Sequence, residues 1–146
     1  MKSSTTGKRP AAAIAIAAIL AWLAIGGFGN AVVWRNVPDQ LAGQAIPAPM
    51  HAFVEATRSP VFTLLAALYG ITALVAAVGI FSLRTWKGIA YLAWCCAVLL
   101  LGVWIALAMP AQAGAAPRWL LLAFGIALAA VAACAYPFIS RLQRTS

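Results

Sequence analysis

The chain is almost without acid. Of its 146 residues only Asp39 and Glu55 carry a carboxylate, His51 is the one histidine, and charged residues of both signs make up 8%. No Asp, Glu, Lys, Arg or His falls in the central part of a long apolar run. Proton relays, ion-coupled carriers and charged-substrate sites at membrane depth need such a residue. Those classes are therefore excluded, including small proton-driven drug exporters with a membrane carboxylate. Paired carboxylates, a nucleophile triad and a Gly-rich phosphate loop are also missing. Three cysteines, Cys95, Cys96 and Cys134, lie inside apolar runs with no C-x-x-C spacing. A disulfide framework would place them in connecting segments, and a quinone-linked thiol relay would need the spaced pair near water. Cys95 and Cys96 point about 100° apart on a helix and read as small apolar packing residues.

What fills the chain instead is hydrocarbon: 65% of residues are hydrophobic and the mean hydropathy is +0.97. A soluble domain of this size needs far more polar surface, so lipid must replace water around much of it. Val61–Leu83 and Gly88–Met109 each form roughly 33–35 Å of helix, against about 30 Å of hydrocarbon. The basic turn Ser82-Leu83-Arg84-Thr85-Trp86-Lys87 joins them into a transmembrane hairpin.

Before this hairpin, basic Met1–Pro10 leads into an apolar run whose small-x-small Gly27-Phe28-Gly29 resembles a signal-peptide cleavage pattern. The run is longer than a signal h-region of about 7–15 residues, so it reads as an uncleaved first span. Ile14, Ile16, Ile19, Leu20, Leu23, Ile25 and Phe28 favour its insertion by roughly 2–4 kcal/mol together. After the hairpin, Pro117 suits the first turn of a fourth span, which Pro137 should end or kink. The expected fold is all-α: one membrane domain, a four-transmembrane-helix bundle with spans at about 11–30, 61–83, 88–109 and 118–137.

The segment 31–60 holds both acids and the histidine, and prolines at 38, 47, 49 and 60 divide it. Short helices are expected from Pro38 to about Gln44 and from Pro49 to about Thr57. In the second, Met50, Phe53 and Val54 form an apolar face, while His51, Glu55 and Arg58 form a polar one. His51 and Glu55 at i, i+4 are the best metal-like pair, with Asp39 the only third ligand in the segment. A solvated face with a local Glu55–Arg58 pair is the simpler reading. One histidine also gives haem a single axial nitrogen per chain. No metal or other cofactor is expected.

The net charge of +8 would suggest nucleic acid in a soluble protein. Here the basic residues flank apolar runs, so topology explains them and no nucleic-acid partner is expected. A cytoplasmic N-terminus puts Lys2, Lys8, Arg9, Arg84, Lys87, Arg141 and Arg144 inside and Arg35, Arg58 and Arg118 outside, seven against three. The positive-inside rule then gives cytoplasmic ends and an extracytoplasmic 31–60 segment, and the alanine-rich spans point to a bacterial inner membrane.

Small residues mark where helices can approach, because lipid supplies no hydrophobic drive between them. Ala66, Gly70, Ala73 and Ala77 make one stripe; Ala123, Ala127 and Ala130, continued by Cys134, repeat its spacing. Tyr69, Thr72, Tyr91 and Trp94 are candidate linings for an apolar ligand, although core packing accounts for such aromatics more simply. These features lead to a non-catalytic accessory or interaction subunit, bound to lipid and through the stripes to itself or another membrane protein. The alternative is binding or transport of a neutral lipid, quinone or drug, with 31–60 as a lid. Immunity to a membrane-active toxin is a third class that nothing specific favours.

Leu-Tyr-Gly-Ile-Thr-Ala-Leu at 68–74 and Ser-Leu-Arg-Thr-Trp-Lys-Gly-Ile-Ala-Tyr at 82–91 resemble the central hairpin of many small uncharacterised bacterial four-span proteins. The outline also resembles DoxX-like membrane proteins. The resemblance covers about a fifth of the chain and implies architecture, not activity.

Overall fold

Each long apolar run becomes a helix in the computed structural model, which describes residues 10–33, 47–108 and 115–142. α1 spans Ala11–Val33, α2 Ala48–Thr57, α3 Pro60–Phe81, α4 Lys87–Ala108, α5 Ala115–Cys134 and α6 Tyr136–Arg141. No strand occurs among the described residues. Four crossings are long and apolar enough for a bilayer, with hydropathies of 2.1–2.3, the fourth running Leu122–Arg141 through α5 and α6. The fold is thus an all-α bundle of a multi-pass membrane protein.

Local chemistry sets the helix ends. Ser59 caps α3 by accepting from the Val61 N–H at 3.2 Å, and Pro60 follows in the first turn, where a missing N–H costs nothing. At its far end α3 stops at Phe81, two residues short of the expected Leu83. There the Arg84 N–H returns to the Gly79 carbonyl at 3.0 Å and the Leu83 N–H to Ile80 at 3.1 Å. This is a Schellman closure, whose left-handed position usually holds glycine but here holds Leu83 at φ 53°. α2 forms one residue earlier than expected, with Pro49 in its first turn. The expected helix at 38–44 lies outside the described residues. Pro137 kinks the fourth crossing: it has no N–H for the Ala133 carbonyl, and helical bonding resumes with Ile139 N–H to Ala135 at 3.0 Å.

The four crossings follow chain order in space. α1 packs on α3, α3 on α4 and α4 on α5, while α6 turns back against α4 and α1 and α5 scarcely meet. Burial agrees: 39% of the most apolar window is buried in each of α3 and α4, against 28% in α1 and 17% in the fourth crossing. The outer two helices are therefore edges, and the bundle is open on one side.

The two ends differ. At the end carrying the Ser82–Trp86 turn, Ala13, Ala17 and Leu20 of α1 join Ala77, Ile80, Tyr91, Trp94, Ala129, Ala132 and Ile139 in one buried cluster. Toward the end carrying α2 the cluster gives way to a cleft.

Candidate functional site

Two glycine contacts shape that end. A Cβ on Gly27 of α1 would lie 2.9 Å from both Cα and N of Gly70 on α3. A Cβ on Gly102 of α4 would lie 3.3 Å from Cα of Gly125 on α5. Backbones can come this close only without side chains. The contacts draw α1 to α3 and α4 to α5, and no comparable pair draws α1 to α5.

Between the two edges lies a cleft of about 420 Å³. α1 lines it with Trp22, Leu23, Gly26, Gly27 and Asn30, and α3 with Ala66 and Tyr69. α4 adds Val98, Leu101, Gly102 and Ile105, and α5 adds Phe124, Gly125 and Leu128. Phe53 of α2 closes the end nearest the connector. Among the described residues Asn30, Tyr69 and the Trp22 indole supply the polar groups of the lining, and no charged side chain is part of it. The volume falls within the roughly 300–1,000 Å³ of small-molecule pockets, and an apolar wall with a few polar groups is the usual composition.

The fold separates the residue sets that the sequence suggests. Ala66, Gly70, Ala73 and Ala77 are all buried. Gly70 meets α1, so this stripe is occupied within the chain and offers no surface to another protein. Ala123, Ala127 and Ala130 are exposed; the face turned inward on α5 is Gly125, Ala129 and Ala132. The second stripe therefore faces away from the rest of the bundle, because alanine recurs all round α5 and its spacing does not choose a side.

Of the four candidate lining residues only Tyr69 reaches the cleft. Thr72 turns its hydroxyl back to the Leu68 carbonyl at 2.8 Å and the Tyr69 carbonyl at 3.1 Å, satisfied by its own helix. Tyr91 and Trp94 belong to the buried cluster with ring centroids 5.5 Å apart, and Trp94 also lies 6.2 Å from the Tyr69 ring. Thr72, Tyr91 and Trp94 lie outside the lining of this cleft.

On α2, Glu55 and Arg58 pair at 3.4 Å on the exposed face that also carries His51. Asp39, the third candidate ligand, lies outside the described residues. An exposed pair of this kind contributes little to stability.

The sequence reading passed over the cleft's glycines and Phe53. A signal was present: Gly125 is the only glycine in α5, set among alanines and leucines. The turn residue Lys87, read there as a topology charge, is only 7% exposed. Both acids fall in the connector sequence. No family model matches the chain, and neither a curated protein nor a solved structure does, so its site is read from its own geometry.

Proposed function

We propose that this is a non-catalytic bacterial inner-membrane protein, cytoplasmic at both ends, that binds a neutral hydrophobic molecule between α1 and α5. The observation that carries the reading is the 420 Å³ uncharged cleft at the end where α2 and Phe53 lie. It opens on the side where the two edge helices scarcely meet, which gives a lipid-soluble molecule lateral access. The seven-to-three distribution of basic residues supports the orientation and makes α2 an extracytoplasmic cover. The outline shared with DoxX-like proteins is one of architecture and adds no activity.

Gly26 provides the test, because it lines the cleft and a Cβ built there meets nothing within 4 Å. Gly26→Leu should fill the space without disturbing the helices. Native mass spectrometry of the protein released from nanodiscs should show small apolar adducts on the wild type and few on the variant. Identical adducts on two equally folded proteins would refute the proposal.

A second reading, an accessory subunit docking through α5, is favoured by the exposed Ala123, Ala127 and Ala130 on the least buried crossing. Ala127→Leu tests it alone, since Gly70 is already engaged with α1. An unchanged oligomer size and unchanged co-purifying proteins would count against it.

A further inference from the structure

One hydrogen-bond donor without an acceptor lines the cleft, on Tyr69, and a second, on Trp94, lies behind it in the buried cluster. Trp94 is 5% exposed, and its indole Nε1 has no hydrogen-bond partner. The Tyr69 side chain beside it is close enough to interact with that indole but not in hydrogen-bonding geometry. Tyr69 lines the cleft, and among the described residues its hydroxyl donates to no oxygen. Thr72, one turn further on, has turned both its bonds to its own backbone and supplies nothing.

Depth makes this pairing informative. Tyr69 lies about 14 Å along α3 from Pro60, roughly half of a hydrocarbon core of about 30 Å. Water does not stand in for a missing acceptor there, and an unpaired donor in hydrocarbon is costly. The ester carbonyls of a phospholipid sit at the interface, about half a bilayer away. An acyl chain from such a lipid could fill the cleft but would leave both donors bare.

Resting on the cleft reading above, we infer that the occupant is a free neutral lipid bearing a carbonyl that reaches mid-depth, of the quinone or long-chain ketone kind, held by the Tyr69 hydroxyl. The phenol donates to the ligand carbonyl, and a small turn of its ring on binding offers the phenol oxygen to the Trp94 N–H behind it. Trp94 acts as a positioning residue, and the apolar wall from Val98, Leu101 and Leu128 takes the tail.

The experiment compares decylubiquinone with n-pentadecane, on the full chain in nanodiscs, by native mass spectrometry and by infrared spectroscopy of the quinone carbonyl. The wild type should bind the quinone more tightly than the alkane and shift its carbonyl stretch to lower frequency. Tyr69→Phe should weaken the quinone on the order of tenfold, leave the alkane unchanged and abolish the shift. Gly26→Leu should lower both ligands. Equal quinone binding by wild type and Tyr69→Phe, or an unshifted carbonyl, overturns the inference while a Gly26→Leu loss of both ligands keeps the cleft. If Gly26→Leu changes neither ligand, the cleft reading falls and the inference with it.

Discussion

Gly26 and Gly27 are neighbours on one helix, and replacing each by alanine should have opposite consequences. Both substitutions share the helix-propensity gain of about 0.5–1 kcal/mol that alanine has over glycine, so it cancels in the comparison. At Gly26 the new methyl meets nothing within 4 Å. At Gly27 it lies 2.7 Å from Tyr69 Cδ1 and 2.9 Å from the Cα and N of Gly70. The tyrosine ring can swing aside; the Gly70 backbone is part of α3 and cannot. Reaching an ordinary carbon contact of about 3.5 Å needs the helices to part by roughly 0.6 Å. Overpacking of that kind costs about 1–3 kcal/mol. Gly27→Ala should therefore be less stable than Gly26→Ala by about 1–3 kcal/mol, measured by sodium dodecyl sulfate titration in mixed micelles with helicity and tryptophan fluorescence as probes. A difference below about 0.5 kcal/mol, or one of opposite sign, would show that α1 and α3 do not meet at Gly27 and Gly70.

Three further outcomes follow from the same packing. Gly70→Leu, whose Cβ alone would sit 3.2 Å from the Ala24 carbonyl oxygen, should lower stability by about 3 kcal/mol or more, whereas Ala127→Leu on the exposed side of α5 should stay within about 0.5 kcal/mol in the same titration. Leu83 occupies a left-handed position at φ 53° while packing on the core cluster. Leu83→Ala and Leu83→Gly lose the same packing, but only glycine relieves the backbone, so the glycine variant should be the more stable by about 1 kcal/mol. A reversed order would mean that the turn is not closed in this way. Cys95 is buried while Cys96 and Cys134 face outward into lipid or detergent tails, where few thiolates form, so N-ethylmaleimide in mild detergent should add two groups slowly by intact mass and a third only after unfolding.

Much of the fold was legible because its causes are local. A run of apolar residues long enough for a bilayer, a proline in the first turn and a basic turn between two runs each act within a few residues. α3 and α4 follow from such cues, as does the kink at Pro137. The Schellman closure was harder to see, since Leu83 stands where glycine is expected. The candidate site was mostly illegible. Tyr69, Thr72, Tyr91 and Trp94 are the chemically rich residues of the central hairpin, yet three of them point elsewhere. Which face of α5 turns inward depends on one glycine meeting another on α4, and alanine spacing carries no information about that meeting. The cleft requires the relation between α1 and α5, which are far apart in sequence.

The cleft follows from where the small residues lie. At the turn end, Ala13 and Ala17 on α1 and Ala129 and Ala132 on α5 let the edge helices share one core with Ile80 and Ile139. At the other end the small residues are spent on two separate contacts, Gly27 with Gly70 and Gly102 with Gly125. The side left over carries Trp22 and Phe124, both largely exposed, and Leu128. In water such a seam would be driven to collapse. In lipid that drive is absent, because hydrocarbon tails solvate tryptophan and phenylalanine as readily as a partner helix does. A four-helix chain with glycine pairs on the α1–α3 and α4–α5 seams and bulky residues between α1 and α5 can therefore keep that last seam open at little cost. What enters it competes only with lipid, so selectivity must come from polar groups in the lining. In the proposed binding role that selectivity falls to the polar side chains of the lining, Asn30 and Tyr69, with the Trp94 indole behind the latter.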